Sequence, residues 1–543
     1  MNSRRKLLLV VMDGVGYKDD DFGNAVNLAP RPYMKFLEKN GLFTLLKAHG
    51  TYVGLPSDAD IGNSEVGHNA LGAGTIFDQG AKIVQKAIET GTLFQDEPWK
   101  KLVKFLKAGS GTLHFLGMLS DGNVHSHEQH LYGMLRQSKK EGLKRVRIHV
   151  LFDGRDVGEK SAEVYVDRLE KVMAELRSPD FDIKVASGGG RMHITMDRYD
   201  ADWTMVARGW KTHVLGEADQ FQSLPAALKK FRENPDLTDQ YLPAFVISEN
   251  GKPVGPINDG DGVVLYNFRG DRAIEISKAF TEKDFEHFDR GRNPKVYFAG
   301  MMEYDGDKHI PEHYLVRPPS IKDTLSEYLV KNKIRQFACS ETQKFGHVTY
   351  FWNGNRTGYF DEKFEEYIEI PSDENITFNL KPWMKAYEIT ELVIKKIKEN
   401  AFDFGRINYP NGDMVGHMGN LEAAIVAVAT VDLMLGRLIH AVKETDSLLI
   451  VTADHGNSDE MFDAKAKDFP NWQTLPLDKR PKPKTAHTLS PVPFFIYDPR
   501  GIGQRALAKQ VEPKTLGNVA NTVIQLLGLP FKENYLPSLL ERS

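Results

Sequence analysis

One cysteine, Cys339, is all that the 543 residues carry, so an intramolecular disulfide and a cysteine-rich zinc site are both excluded. That scarcity agrees with a reducing compartment. Long apolar runs are missing too: no segment reaches the roughly 18 to 20 consecutive apolar residues of a membrane span. The run LLLVVM behind the basic N-terminus is cut by Asp13 after about six residues, too short for a signal h-region and suited to a buried strand. The expected location is therefore cytoplasmic, without a membrane partner, and the glycosylation sequons at Asn355 and Asn375 carry no weight. A surplus of charge is absent as well. With 70 basic and 74 acidic residues the net charge is -4, which gives no global attraction to nucleic acid or anionic lipid, so any phosphate site must be local.

What is present is an ordinary globular composition, 41% hydrophobic and 27% charged, on a chain too long for one core; two large domains are expected. Short β-branched runs stop abruptly at polar residues: LLLVVM before Asp13, LHFLGML before Ser120 and Asp121, RIHVLF before Asp153, IKVA before Ser187, VVLYNF before Arg269, RINY before Asn411 and SLLIVT before Asp454. Such runs, separated by helical patterns, predict strands of largely parallel sheets covered on both faces, an α/β class. The stretch 420–442 predicts the helical partner, with Asn420 as cap and Leu421, Ala424, Ile425, Val428, Val431, Leu435 and Leu438 as its apolar stripe. In open α/β sheets ligands sit beyond the carboxyl ends of the strands. Acid, serine and histidine ends occur at 13–64 and again at 413–487, whereas the interval 120–272 brings arginines. One chemistry is interrupted by another, which predicts a discontinuous domain of residues 1–80 and 320–543 around an inserted domain of residues 81–319. The crossings fall near 77–84 and at the paired prolines of 315–323. Residues 461–486, rich in Lys, Asp and Pro, read as a surface loop.

Within the stretch IGNSEVGHNALGAGT, Ser64 is the one hydroxyl among glycines before Thr75. Gly62 fits the nucleophile elbow of hydrolases, but Val66 stands where the second glycine belongs. Taken locally, Ser64 is a capping serine of a turn or helix as readily as a nucleophile. Elsewhere stand Asp13, Asp413, His417, Asp454, His455 and His487. Carboxylates and imidazoles without thiolates suit a divalent ion such as Mn2+, with Co2+, Mg2+ and Zn2+ as alternatives. The set is large enough for two ions, with Ser64 oxygen as a further ligand. Two cations suit phosphoryl transfer, because they activate a coordinated oxygen and clamp the entering and leaving groups; a serine so activated needs no histidine base.

Asp13-Gly14, the Ser64 segment, DMVGH and DHG followed by His487 resemble the alkaline phosphatase superfamily. DGNVHSH at 121–127, DGRD at 153–156, GGGRMHITMDR at 188–198, NFRGDR at 267–272 and KFGHVTYFWNGNR at 344–356 resemble cofactor-independent phosphoglycerate mutases, in wording most like the plant and trypanosomatid branch. The resemblance implies an alkaline-phosphatase-like core interrupted by a substrate domain, in a monomer. It implies Ser64 as the nucleophile that becomes phosphoserine, one ion held by Asp13, Ser64, Asp454 and His455, and the other by Asp413, His417 and His487. Lys344 would stabilise the anionic group beside Ser64. His125, Arg155, Asp156, Arg191, Arg198, Arg269 and Arg272 would hold phosphoglycerate, with Asp156 moving protons on its hydroxyls. The reaction implied is the interconversion of 3- and 2-phosphoglycerate in glycolysis and gluconeogenesis without 2,3-bisphosphoglycerate, with domain closure at the two crossings keeping water out. Asn123 and Met418 depart from the bacterial wording without touching an implied ligand, and Glu65 and His68 have no implied role beyond supporting their loop. A metal-dependent phosphatase, a sulfatase or a sugar-phosphate mutase would share the metal core. A phosphometabolite-binding protein without turnover would share the fold.

Overall fold

In the computed structural model the chain folds as two compact units, Met1–Gln79 with Ser320–Ser543, and Gly80–Pro319. The structure describes residues 5–198, 201–305, 309–317, 321–373, 376–501, 503 and 505–541; Asn375 and residues 318–320 of the expected second crossing lie outside them.

The first unit is built on a seven-stranded sheet, in the order Glu365–Ile370, Gln336–Glu341, Phe404–Tyr409, Leu7–Met12, Leu448–Thr452, Val492–Tyr497, Leu42–Leu46. Leu7–Met12 is central and buried throughout, with Leu7 opposite both Phe404 and Leu448 in parallel register. That double coverage is why its sequence is continuously apolar. Val492–Tyr497 alone runs against its neighbours; its sequence, VPFFIY, is as apolar as the parallel strands, so direction could not be read from composition.

Helix Leu421–Glu444 begins where expected, the Asn420 side chain accepting from Ala423 N at 2.8 Å. Leu421, Ala424, Val428, Val431, Leu435 and Leu438 are buried, and Ile425 is partly so. The helix's most apolar stretch has a mean hydropathy of 1.8, enough by length and composition alone to cross a membrane, although charged residues break it and no run in it reaches the expected 18 consecutive apolar residues. Its apolar stripe faces the protein core, whereas Val426 and Leu433 are exposed. Its buried Asp432 accepts from Met34 N at 2.7 Å and Tyr33 N at 3.1 Å, satisfying the first amides of helix Pro32–Asn40. The expected surface loop at 461–486 is mostly exposed, but its start is pinned: Phe462 packs against Phe22 and Trp472 with ring centroids 5.3 and 5.2 Å away.

Cys339 lies in the Gln336–Glu341 strand, and burial pushes its thiol up to about 12. Iodoacetamide at pH 8 is therefore expected to spare it in the folded protein and alkylate it after denaturation, because the thiolate is the reactive form. Equal labelling in both states, read by mass, would contradict this placement.

The second unit carries an eight-stranded sheet with the path Tyr297–Gly300, Gly262–Leu265, Leu113–Met118, Arg145–Phe152, Asp182–Gly190, Phe245–Glu249, Asp219–Phe221, and Lys252–Pro253 added beside Phe245–Glu249. The first five strands are mutually parallel. Two expected boundaries fail: the run VVLYNF stops as a strand at Leu265, short of Phe268, and Ser187 does not follow its strand but lies inside Asp182–Gly190. The glycines after it extend the ladder because the Phe245 ring and Val150 occupy the space a side chain at Gly188 would need.

Candidate active site

In the first unit, four neighbouring parallel strands deliver chemistry at their carboxyl ends. Leu7–Met12 leads to Asp13, Phe404–Tyr409 to Asp413, Leu448–Thr452 to Asp454 and His455, and Gln336–Glu341 to Lys344. Gly14 adopts φ +73°, and a Cβ there would stand 2.6 Å from the Asp413 backbone, so the Asp13 and Asp413 loops can meet only over glycine. Asp413 and His417 lie one turn apart on the short helix Asn411–Gly416 and its cap.

Ser64 opens helix Ser64–Ala73, but it is not the cap. Asn63 takes that place, its side chain accepting from Val66 N at 3.1 Å. The Ser64 hydroxyl is thereby left for the cluster. Its Oγ lies 3.2 Å from Asp13 Oδ1 and 2.9 Å from His455 Nε2, and it accepts from the Lys344 ammonium. Lys344 also donates to Asp13 Oδ1 at 2.9 Å and Asp413 Oδ2 at 2.7 Å. Burial opposes the lysine charge, yet Asp13, Asp413 and Asp454 raise its pKa above the ordinary range.

The histidines are aimed by their far nitrogens. Nδ1 of His417 donates to Thr485 O at 2.7 Å, that of His487 to Gly62 O at 3.0 Å, and that of His455 to Gly456 O at 3.2 Å. Each Nε2 then faces inward, the arrangement that outer hydrogen bonds impose on metal-ligating imidazoles. His417 Nε2 and His487 Nε2 stand 3.1 Å apart and about equally far, 3.1 and 3.0 Å, from Asp413 Oδ1. Two imidazole nitrogens and a carboxylate oxygen this close need positive charge among them, which a shared cation supplies. Asp454 Oδ2 is buried without a hydrogen bond, 3.3 Å from His68 Nδ1 and 3.7 Å from His455 Nε2. Burial works against the Asp413 and Asp454 charges, but His417 and Lys344 for the first, and His455, His68 and Lys344 for the second, hold both carboxyls below the usual range. His455 is pushed up to about 9, burial being outweighed by Asp454, Asp413 and Asp13. Donor atoms of Asp413, His417 and His487, and those of Asp13, Asp413 and His455, fall within 4.8 Å of one another. These residues fit divalent cations.

His68, with Asp13 and Asp454, makes a third such group, but its nitrogens are engaged. Nδ1 donates to Ser64 O at 2.8 Å, and Nε2 accepts from Asn408 Nδ2 at 3.2 Å, an amide that also donates to Asp13 Oδ2 at 2.7 Å. Asn408 escapes a reading of the sequence because it hides inside an apolar strand. Glu65 lies in the first turn of the Ser64 helix.

In the second unit, four consecutive strand ends carry Asp153, Arg155 and Asp156; Arg191; Arg269, Asp271 and Arg272; and the loop to His125. All are buried, and Arg198 is half-buried. Arg191 pairs with Asp153 at 2.8 Å and with Asp156. Asp271 lies 3.0 Å from Arg269 Nε, 3.3 Å from Arg198 Nη1 and 3.8 Å from His125 Nδ1. Asp153 and Asp271 sit within quoted motifs, but their service as guanidinium partners appears only in three dimensions. Burial, then Arg198, Arg191 and Arg155, drive the Arg272 pKa well below the ordinary guanidinium range. A buried guanidinium so crowded by like charge is poised for an anion. Burial, then Arg191, likewise keeps His125 well below the ordinary imidazole range.

The Metalloenzyme superfamily model matches residues 5–531 of the chain. A relative from Leptospira interrogans, described as a probable 2,3-bisphosphoglycerate-independent phosphoglycerate mutase, is 51% identical over 540 residues, covering 99% of this chain and 97% of the relative. The 2,3-bisphosphoglycerate-independent phosphoglycerate mutase of Trypanosoma brucei brucei is 49% identical over 542 residues, covering 99% and 98%. The Leishmania mexicana phosphoglycerate mutase, solved at low cobalt concentration, is 48% identical with a TM-score of 0.94, covering 99% of this chain and 98% of that one. The chain belongs to the 2,3-bisphosphoglycerate-independent phosphoglycerate mutase family.

Proposed function

We propose that this enzyme interconverts 3-phosphoglycerate and 2-phosphoglycerate with divalent cations, without 2,3-bisphosphoglycerate, through a phosphoserine at Ser64. The observation that carries the reading is the Ser64 hydroxyl itself: buried, freed from capping by Asn63, and ringed by Asp13, His455 and Lys344. Asp13, Ser64, Asp454 and His455 would hold one cation, and Asp413, His417 and His487 the other, with Mn2+ the preferred ion among Co2+, Mg2+ and Zn2+. A cation so held lowers the proton affinity of bound oxygen and neutralises charge on a transferring phosphoryl group.

The chain's own residues divide the work. The Ser64 hydroxyl sheds its proton to water and its Oγ bonds to phosphorus as the bond from phosphorus to the glycerate oxygen breaks, while Lys344 supplies positive charge beside it; the proton returns when Oγ leaves phosphorus. Asp156 gives a proton to the departing oxygen and takes one from the hydroxyl that attacks next, returning the phosphoryl group to glycerate. His125, Arg155, Arg191, Arg198, Arg269 and Arg272 hold the phosphate and carboxylate, forked guanidiniums suiting both. The arginine-bearing unit is thus the substrate domain and the other the metal-binding phosphotransfer domain. The protein acts as a cytoplasmic monomer in glycolysis and gluconeogenesis.

Purified protein with Mn2+ and 3-phosphoglycerate, without bisphosphoglycerate, is expected to form 2-phosphoglycerate and little free phosphate. Free phosphate alone would make it a phosphatase, and neither product a binding protein.

A further inference from the structure

A chain of buried polar side chains crosses the second unit's sheet, and the reaction outlined above leaves it unused. Asp261 Oδ2 lies 3.1 Å from His114 Nε2, His114 Nδ1 2.9 Å from His149 Nε2, His149 Nδ1 2.7 Å from Ser187 Oγ, Ser187 Oγ 2.7 Å from His213 Nδ1, and His213 Nε2 2.9 Å from Thr195 Oγ1. Every member is buried. The chain steps over strands Leu113–Met118, Arg145–Phe152 and Asp182–Gly190 and finishes in the segment Lys211–Leu215 and the loop after Gly190.

Its proton order follows from its fixed end. Asp261 receives Thr112 N at 2.7 Å and Asn258 N at 2.8 Å, and as a carboxylate it can only accept. His114 must therefore donate from Nε2 and accept at Nδ1, so His149 donates from Nε2 and accepts at Nδ1. Ser187 donates to His149 and accepts from His213 Nδ1, which leaves His213 Nε2 to accept from the Thr195 hydroxyl. Each imidazole carries one proton and is neutral. Burial independently holds His114, His149 and His213 below the ordinary imidazole range, the last at about 3.

At the far end Thr195 adopts φ +70°, a left-handed conformation that a β-branched residue resists. Its amide donates to Met205 O at 3.0 Å, and the next residue, Met196, offers its carbonyl to Arg272 Nη1 at 2.6 Å. We propose that His213, backed by Ser187, His149, His114 and Asp261, is a positioning residue for Arg272: the chain fixes the Thr195 hydroxyl, Thr195 fixes the left-handed turn, and the turn presents the Met196 carbonyl that aims the guanidinium. The inference rests on Arg272 holding an anionic group of the substrate.

His213→Leu deletes both ring nitrogens, and its KM for 3-phosphoglycerate is expected to rise about tenfold with kcat within about twofold, the scale of one buried polar group left unpaired. His213→Gln, which can donate to Ser187 and accept from Thr195, restores the KM. Thr195→Gly removes the hydroxyl that the chain fixes, so it is expected to raise KM much as His213→Leu does, and adding His213→Leu to it changes KM no further. That non-additivity is a result which general loss of packing would not give. An unchanged KM in His213→Leu, or an equal rise with and without Thr195→Gly, overturns the proposal. Should His213→Leu fail to fold, Ser187→Ala, which cuts the chain one link earlier, carries the same test, alone and combined with Thr195→Gly. Arg272→Lys separates the two levels: a normal KM there removes the assigned role of Arg272, whereas a raised KM there with a normal one in His213→Leu removes only the positioning chain.

Discussion

Ser64→Ala is expected to lose phosphoglycerate mutase activity by a factor on the order of 10^4 to 10^6, the cost of removing the nucleophile of a covalent mechanism. Few substitutions allow so clean a reading. The helix cap belongs to Asn63, and the Ser64 side chain takes no part in the helix's own hydrogen bonds, so alanine, a better helix former, keeps the helix. What disappears is the oxygen that meets Asp13, His455 and Lys344. The loss should therefore appear in kcat while the thermal midpoint stays within a few degrees. A second readout addresses the intermediate directly: peptide mapping after rapid acid quench with substrate should find a phosphorylated peptide containing Ser64, and none from the variant. Turnover within tenfold of the unsubstituted enzyme would overturn the covalent route. A lost turnover with no phosphopeptide in the parent would point to direct transfer between substrate hydroxyls.

How far sequence alone can lead differs between the two halves of the chemistry. Asp13, Asp454 and His455 are legible because each closely follows a continuously apolar run, and a buried parallel strand leaves little choice about where its carboxyl end delivers the next residue; Asp413 follows the mixed strand FGRINY, and its DMVGH motif brings it forward. His417 follows one helical turn after Asp413. Lys344 is not legible in this way: its strand, QFACSE, mixes polar with apolar residues, and only the family resemblance brings the lysine forward. Asn408 and His68 remain hidden for a further reason. Their contacts to Asp13, Ser64 and each other span up to 395 residues of chain, and neither residue type at its own position signals a long-range partner. Among the arginines, the motifs name the cations but not Asp153 and Asp271, since an aspartate after a strand is as ordinary a turn former as an ion-pair partner. Ser187 shows the converse error. It reads as a strand end because small polar residues usually close a strand, but here the glycines after it admit a large neighbouring ring and the strand continues.

Asp413→Asn is expected to lower kcat about 10^3-fold and to remove the share of divalent-cation stabilisation that its own site confers. Asp413 is the hub of the first unit's cluster: Oδ1 lies 3.0 Å from His487 Nε2, 3.1 Å from His417 Nε2 and 3.9 Å from His455 Nε2, and Oδ2 lies 2.7 Å from Lys344. Asparagine keeps the shape but removes the charge, so the facing imidazole lone pairs of His417 and His487 lose the anion that makes their pocket attractive to a cation. Several kcal/mol of charge stabilisation in phosphoryl transfer depend on such an ion, which at about 1.36 kcal/mol per tenfold gives the stated loss. The binding arm is read without turnover. Mn2+ at a hundred times its dissociation constant should stabilise the parent by about 2.7 kcal/mol, a rise of a few degrees in thermal midpoint, and chelator should reverse it. In Asp413→Asn the same Mn2+ should give a clearly smaller rise, that of the remaining site held by Asp13, Ser64, Asp454 and His455. Arg272→Lys, in the other unit, should retain the full rise, which separates a lost cation site from general damage to the protein. An undiminished Mn2+ response in Asp413→Asn would mean that the cation is held elsewhere, and the assignment of Asp413, His417 and His487 as one site would fall.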